Sequence, residues 1–165
     1  MKKRMLSLLL ALAMLCTLLP QAALPASAAT YSGTCGGEGD GSNLHWTLDT
    51  ATGLLTITGS GAMWTKTQEA PWYAYHDSIT ALSLPSGLTS IAVAAFSDCA
   101  SLASVTIPNG VTKIGNGAFA HCWSLTSVSI PSSVTSIGNF AFEDCITLPS
   151  VSIPGSVKTI SDRAF

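Results

Sequence analysis

Charge is what this chain has least of. Among 165 residues there are five lysines and three glutamates, and two of the lysines, with Arg4, sit at the very start. Behind residue 28 only Lys66, Lys113, Lys158 and Arg163 face nine acidic residues, a net charge of −5. With no basic patch to neutralise phosphates, nucleic acid is excluded as a partner class. Such a shortage of Lys and Glu also argues against charged amphipathic helices, and the abundance of Ser, Thr, Gly and Ala points to β-structure with many turns. Catalytic groupings are missing as well. His45, His76 and His121 stand alone, without helical spacing or a Glu partner, and no G-x-S-x-G elbow presents a serine. The run Gly36-Gly37-Glu38-Gly39-Asp40-Gly41 lacks the ordered carboxylates of a twelve-residue calcium loop and is expected to be a flexible tail. Gly33, Gly36 and Gly37 follow no predicted strand and make no phosphate cradle. The expectation is a non-enzymatic protein with no cofactor and no metal.

The stretch 1–28 reads as a signal peptide. Lys2, Lys3 and Arg4 form a positive n-region, Met5 to Leu19 is nearly all apolar, and Ala26-Ser27-Ala28 offers small residues for cleavage. The apolar run from Met5 to Leu19 is shorter than the roughly 20 residues needed to cross a bilayer, so no transmembrane segment is expected in the mature chain. Bulky Leu15 before Cys16 argues against a lipid anchor.

What is present is a repeat. Units open at Ile79, Leu102, Leu125 and Leu148, giving coils 79–101, 102–124, 125–147 and an incomplete 148–165. A fixed period of this size predicts a solenoid whose coils bury their apolar side against one another. In Leu125-Thr126-Ser127-Val128-Ser129-Ile130-Pro131 the two-residue alternation of a strand turns Val128 and Ile130 inward and Ser127 and Ser129 outward. Pro131, lacking an amide hydrogen, closes the strand. Val134 and Ile137 make a second inward pair, Gly138-Asn139 turns the chain, and Ala141, Phe142 and Cys145 return inward on a short helical turn. Two buried ladders follow: Leu82, Val105, Val128 and Val151, and Phe96, Phe119, Phe142 and Phe165. The chain stops before the fourth Cys position, which reads as a fragment of a longer protein.

Four cysteines remain behind the leader. An even count in an exported chain invites disulfides. But Cys99, Cys122 and Cys145 share one coil position, where a ladder of buried thiols fits better than paired bridges. Cys35 has no counterpart; it is either free or part of a cap. Residues 29–78 do not follow the period. Leu44, Trp46 and Leu48 alternate with polar residues, as do Leu55 and Ile57, around the turn sequence DTATG, a β-hairpin signal. With the aromatic cluster PWYAYHDS it is placed to cap the solenoid, whose end otherwise exposes apolar side chains and a strand edge; a separate binding module is the alternative.

The motifs LASVTIPNGVTKIGNGAFAHC and LTSVSIPSSVTSIGNFAFEDC resemble the BspA-like leucine-rich repeats of bacterial cell-surface proteins, over Ile79 to Phe165. The segment before them is similar to one that precedes such repeats in surface proteins of gut Gram-positive bacteria. The resemblance implies a mainly β leucine-rich-repeat solenoid of 23-residue coils, secreted by or displayed on a bacterium, Gram-positive by the same likeness. It implies binding or adhesion to a host or bacterial surface protein or glycan. A passive spacer, or the targeting arm of a longer and enzymatic secreted protein, remains the alternative. The likeness is imperfect where Ala92-Val93 and Ser161-Asp162 replace Gly-Asn.

On the solenoid surface, the outward strand positions Ser104 and Thr106, Ser127 and Ser129, and Ser150 and Ser152 read as a hydrated face. Larger side chains depart from the pattern. Trp123 stands where neighbouring coils have Ala100 and Ile146, beside His121 in place of Asp98 or Asp144. Phe140 stands where others have Ala94, Gly117 and Arg163. Aromatics that the core does not require are candidate interface anchors. His121, Trp123 and Phe140 are therefore the candidate binding surface, with packing between neighbouring coils as the alternative.

Overall fold

The computed structural model describes residues 28–64 and 69–165. The expected leader, apart from Ala28, and Lys66 lie outside the described residues. The chain opens with a three-stranded antiparallel meander: β1 (Thr30–Thr34), β2 (Leu44–Asp49) and β3 (Leu54–Ala62). Leu44, Trp46 and Leu48 are buried while His45 and Thr47 are exposed, as the alternation requires. The hairpin is thus where the sequence places it, but β1 is an addition. The glycine-rich opening is also an ordered loop: Gly37 N–H donates to the Ala62 carbonyl, Gly36 N–H to that of Gly41, and the Asn43 amide to that of Ser60. Gly33 lies inside β1. Pairing of backbone groups, which needs no apolar side chains, orders this stretch.

β3 joins the cap to the repeats. Its first half, Leu54–Thr56, pairs in parallel with β4 (Ala81–Ser83), and its second half, Ser60–Ala62, with β5 (Gly87–Ile91). One long strand therefore supplies the first rung of both faces of the solenoid. Parallel pairing continues from β5 to β7 (Lys113–Ile114), β9 (Ser136–Ile137) and β10 (Thr159–Ile160), and on the other face from β6 (Ser104–Thr106) to β8 (Ser127–Ser129).

Between these faces run the side-chain ladders. Ile79, Leu102 and Leu125 are fully buried, as are Leu88, Val111 and Val134, and Phe96, Phe119 and Phe142 are at most 2% exposed. The phenylalanine rings stack at 5.2, 5.2 and 5.3 Å from Phe96 to Phe165. Burial fades at the last coil: Phe165 is 52% exposed, so the fourth rung of the expected ladder is half in solvent. In the other expected ladder only Val105 is buried; Leu82, Val128 and Val151 are half-buried, because the short strands leave this edge less covered.

The return segment is not the helical turn the sequence suggests. Its amides bond to the next coil: Ala94, Phe96 and Asp98 N–H donate to the carbonyls of Asn116, Ala118 and Ala120, and Gly117, Phe119 and His121 N–H to those of Asn139, Ala141 and Glu143, at 2.8–2.9 Å. This third ladder requires left-handed backbone at two places per coil. Ala94, Gly117, Phe140 and Arg163 occupy one (φ 51 to 59°), and Asp98, His121 and Asp144 the other (φ 55 to 61°). The Gly-Asn turn has its own reason. A Cβ at Gly138 would lie 2.7 Å from the Asn116 backbone nitrogen, so glycine lets the coils approach. The Asn116 carboxamide oxygen then accepts from Asn139 N–H (3.0 Å), and that of Asn139 from Asp162 N–H (3.1 Å). Val93, in the first coil, has no carboxamide to do this.

All four described cysteines are free thiols. Cys99 and Cys122 are buried and Cys145 is half-buried; Cys122 Sγ donates to the Phe96 carbonyl and Cys145 Sγ to that of Phe119, each at 3.2 Å. Cys35 is buried in the cap. Burial pushes Cys35 and Cys99 from 9.0 up to about 12 and Cys145 up to about 11, and moves Cys122 in the same direction. These thiols should therefore resist iodoacetamide in the folded protein at pH 8 and react fully, without reductant, in denaturant. Mass spectrometry that found a linked pair would refute the ladder. The sign of the linkage is fixed too. Between pH 9 and these raised values the unfolded chain ionises its thiols and the folded one does not, so stability falls as pH rises through that window.

Candidate functional site

Trp123 owes its position to the bend that follows the third ladder. His121 takes the left-handed conformation there, one that His and Asp tolerate better than most residues. Cys122 turns inward and Trp123 outward, 52% exposed. In the first coil the same bend places Asp98 and Ala100. Against this edge lies the 3-10 turn of the cap, Tyr73–Ser78. It is set by Trp72, which is 1% exposed and donates its indole N–H to the Ala95 carbonyl at 2.8 Å.

Together these three pieces enclose a hollow of about 220 Å³. Tyr73, His76 and Asp77 come from the cap, Asp98 and Ala100 from the first coil, and His121 and Trp123 from the second. The small Ala100 makes the space, since the equivalent positions in the next two coils carry Trp123 and Ile146. His76 Nδ1 donates to the Asp98 carbonyl (3.0 Å) and lies 3.2 Å from an Asp77 carboxylate oxygen. The Asp98 carboxylate accepts from the Ser97 hydroxyl at 2.8 Å. On the next rung His121 Nδ1 is 3.3 Å from Asp144. The Tyr73 hydroxyl is held above its ordinary range, first by the negative charge of Asp98, then by partial burial and the charges of Glu69 and Asp77.

Of the three residues singled out in the sequence, the hollow brings together His121 and Trp123. Phe140 does not line it. It sits at the other left-handed position of its coil, 37% exposed, with the Arg163 guanidinium carbon 5.7 Å from its ring centre. Tyr73, His76 and Asp77 were missed, because they lie outside the register of the repeat. Their signal was the density of aromatics in PWYAYHDS beside a repeat that carries alanine at its bend. A larger hollow, about 410 Å³, lies at the last coil. Phe142, Leu148 and Val151 line it, at ladder positions that inner coils use for packing, so it is exposed core. Among the described residues no group of three or more His, Cys, Asp or Glu is placed to hold a metal ion, and no helix is long and apolar enough to cross a membrane.

The profile of the family described as the BspA type leucine rich repeat region (6 copies) matches residues 69–165. The chain belongs to this family. Its match begins ahead of Ile79 and takes in the turn that lines the hollow. Among solved structures, a leucine-rich repeat protein from Eubacterium ventriosum is 30% identical with a TM-score of 0.59, over 81% of this chain and 40% of that one. A leucine rich cell surface protein from Faecalibacterium prausnitzii is 27% identical with a TM-score of 0.43, over 78% of this chain and 45% of that one. The BspA-type chain thus spans less than half the length of either of these two proteins. No curated protein matches it.

Proposed function

We propose that this BspA-type chain is a non-enzymatic binding module, exported and displayed at a bacterial surface, that holds a macromolecule against the edge formed by Tyr73, His121 and Trp123. The observation that carries the reading is Trp123: a large aromatic, half exposed, at a bend where the neighbouring coils carry Ala100 and Ile146. Interface anchors are enriched in Trp and Tyr, and both wall the hollow. Phe140, engaged with Arg163, belongs to a separate part of the surface.

A binding screen against matrix proteins and glycans, comparing wild type with Trp123→Ala and Phe140→Ala, tests it. For a ligand so found, Trp123→Ala should weaken binding by about 2 kcal/mol, some thirtyfold, as expected of a hot-spot aromatic, and Phe140→Ala should have a smaller effect. Equal binding by wild type and Trp123→Ala, or binding to nothing, would move the passive-spacer reading ahead.

A further inference from the structure

The hollow has a chemical character that narrows what it takes. Two aromatic residues, Tyr73 and Trp123, line it together with the small Ala100, and the Tyr73 ring lies 5.0 Å from that of His76. Two carboxylates, Asp77 and Asp98, line it, and Asp144 stands on the adjoining rung behind His121. Among the described residues the cations are Lys113, Lys158 and Arg163, and none of them lines the hollow. Aromatic faces attract cations, and carboxylates pair with guanidinium groups in forked geometry. The volume decides between a whole ligand and a single group. At about 220 Å³ it falls below the roughly 300–1,000 Å³ of sites that enclose a drug-sized molecule. It suits one side chain reaching in from a partner.

We propose that the hollow captures a cationic side chain of a partner polypeptide, arginine in preference to lysine. This rests on the binding-module reading and adds the chemistry of its ligand. Arginine is favoured because its flat guanidinium stacks on aromatic rings and presents a fork of donors to a carboxylate, whereas an ammonium is a compact, strongly hydrated charge. The raised Tyr73 hydroxyl is a second sign that negative potential is concentrated here, since Asp98 is its main cause. A neutral glycan would find the aromatic walls but would leave those carboxylates without the charge they attract.

The test uses acetylated, amidated pentapeptides with a central arginine, lysine or citrulline between glycines, and an uncharged N-acetylglucosamine oligomer. Binding to the whole chain is followed by the indole N–H resonance that disappears in Trp123→Phe. The arginine peptide should shift that resonance and bind roughly tenfold more tightly than the citrulline peptide, which matches its shape without the charge. Lysine should fall between them, and added salt should weaken both charged peptides. Asp98→Asn should lose about tenfold while keeping a side chain that accepts left-handed backbone. Asp77→Asn, at a side chain 84% exposed and thus harmless to folding, should lose less but measurably. Equal affinity for citrulline and arginine, or undiminished binding by both Asp variants, would overturn the proposal. So would a Trp123 shift with the oligosaccharide alone; the binding-module reading would survive that outcome. If the macromolecule screen itself finds no Trp123-dependent ligand, the broader reading fails first.

Discussion

Phe119→Ala is expected to cost roughly 3–5 kcal/mol of folding stability, the range for deleting a large aromatic from a well-packed core. Phe119 is fully buried, and rings lie on both of its faces: Phe96 at 5.2 Å and 22°, Phe142 at 5.2 Å and 7°. Its removal would open a gap in the middle of the stack. The coils on either side are held by 2.8 Å bonds from Gly117 and Phe119 to the next coil and cannot easily collapse into it. Phe165→Ala is the internal control. Its ring stacks on one side only and is 52% exposed, so the loss should be about 1 kcal/mol or less. Urea unfolding followed by circular dichroism measures both. A neutral Phe119→Ala in a folded protein would mean that the register of coils is wrong.

The ladders were legible because they are apolar and periodic. Val111 and Val134 recur one period apart, as do Ile114 and Ile137, and nothing but a stack of coils gives both members of each pair the same buried place. Other parts had no such signal. β1 alternates exposed Thr30, Ser32 and Thr34 with half-buried Tyr31 and Gly33, a pattern without an apolar face, and is held by its backbone pairing to β2. The return segment looked helical because Ala-Phe-x-x-Cys has helix-like spacing. At its first left-handed position the residues range from alanine and glycine to phenylalanine and arginine, so no residue type announces that turn; only the second, with Asp98, His121 and Asp144, keeps to types that tolerate it. The candidate site was legible by half. His121 and Trp123 stood out as departures from the repeat, but their partners come from the cap. Phe140 was grouped with them as another aromatic departure from the repeat, but the third ladder sets it at a different corner of the coil.

Trp72 explains why the cap and the site are one construction, and its replacement should be as costly as that of Phe119. Counted back from Phe96 it stands one place beyond the period, and so escapes the register of the repeat. Yet its ring stacks on Phe96 at 5.6 Å and 16°, making it the first rung of the aromatic ladder. Trp46 and Trp64 meet it edge-on at 5.9 and 5.4 Å, so it also binds the hairpin to the stack. Trp72→Ala should therefore lose about 3–5 kcal/mol. Trp72→Phe keeps the stacking but removes the indole N–H that satisfies the buried Ala95 carbonyl, for a loss of about 1–3 kcal/mol. The two variants separate packing from hydrogen bonding in chemical denaturation. They also bear on the hollow, because Tyr73 follows Trp72 directly and His76 hangs on the Asp98 carbonyl of the first coil. With Trp72 shortened, the turn Tyr73–Ser78 loses the side chain that sets its distance from Ala100. Any ligand held between Tyr73 and Trp123 should then bind more weakly in Trp72→Ala than in Trp72→Phe, under conditions where both remain folded. Equal stability for the two variants would show that the ring stacking does not anchor the cap, and a Trp72→Phe as stable as wild type would show the same of the indole hydrogen bond.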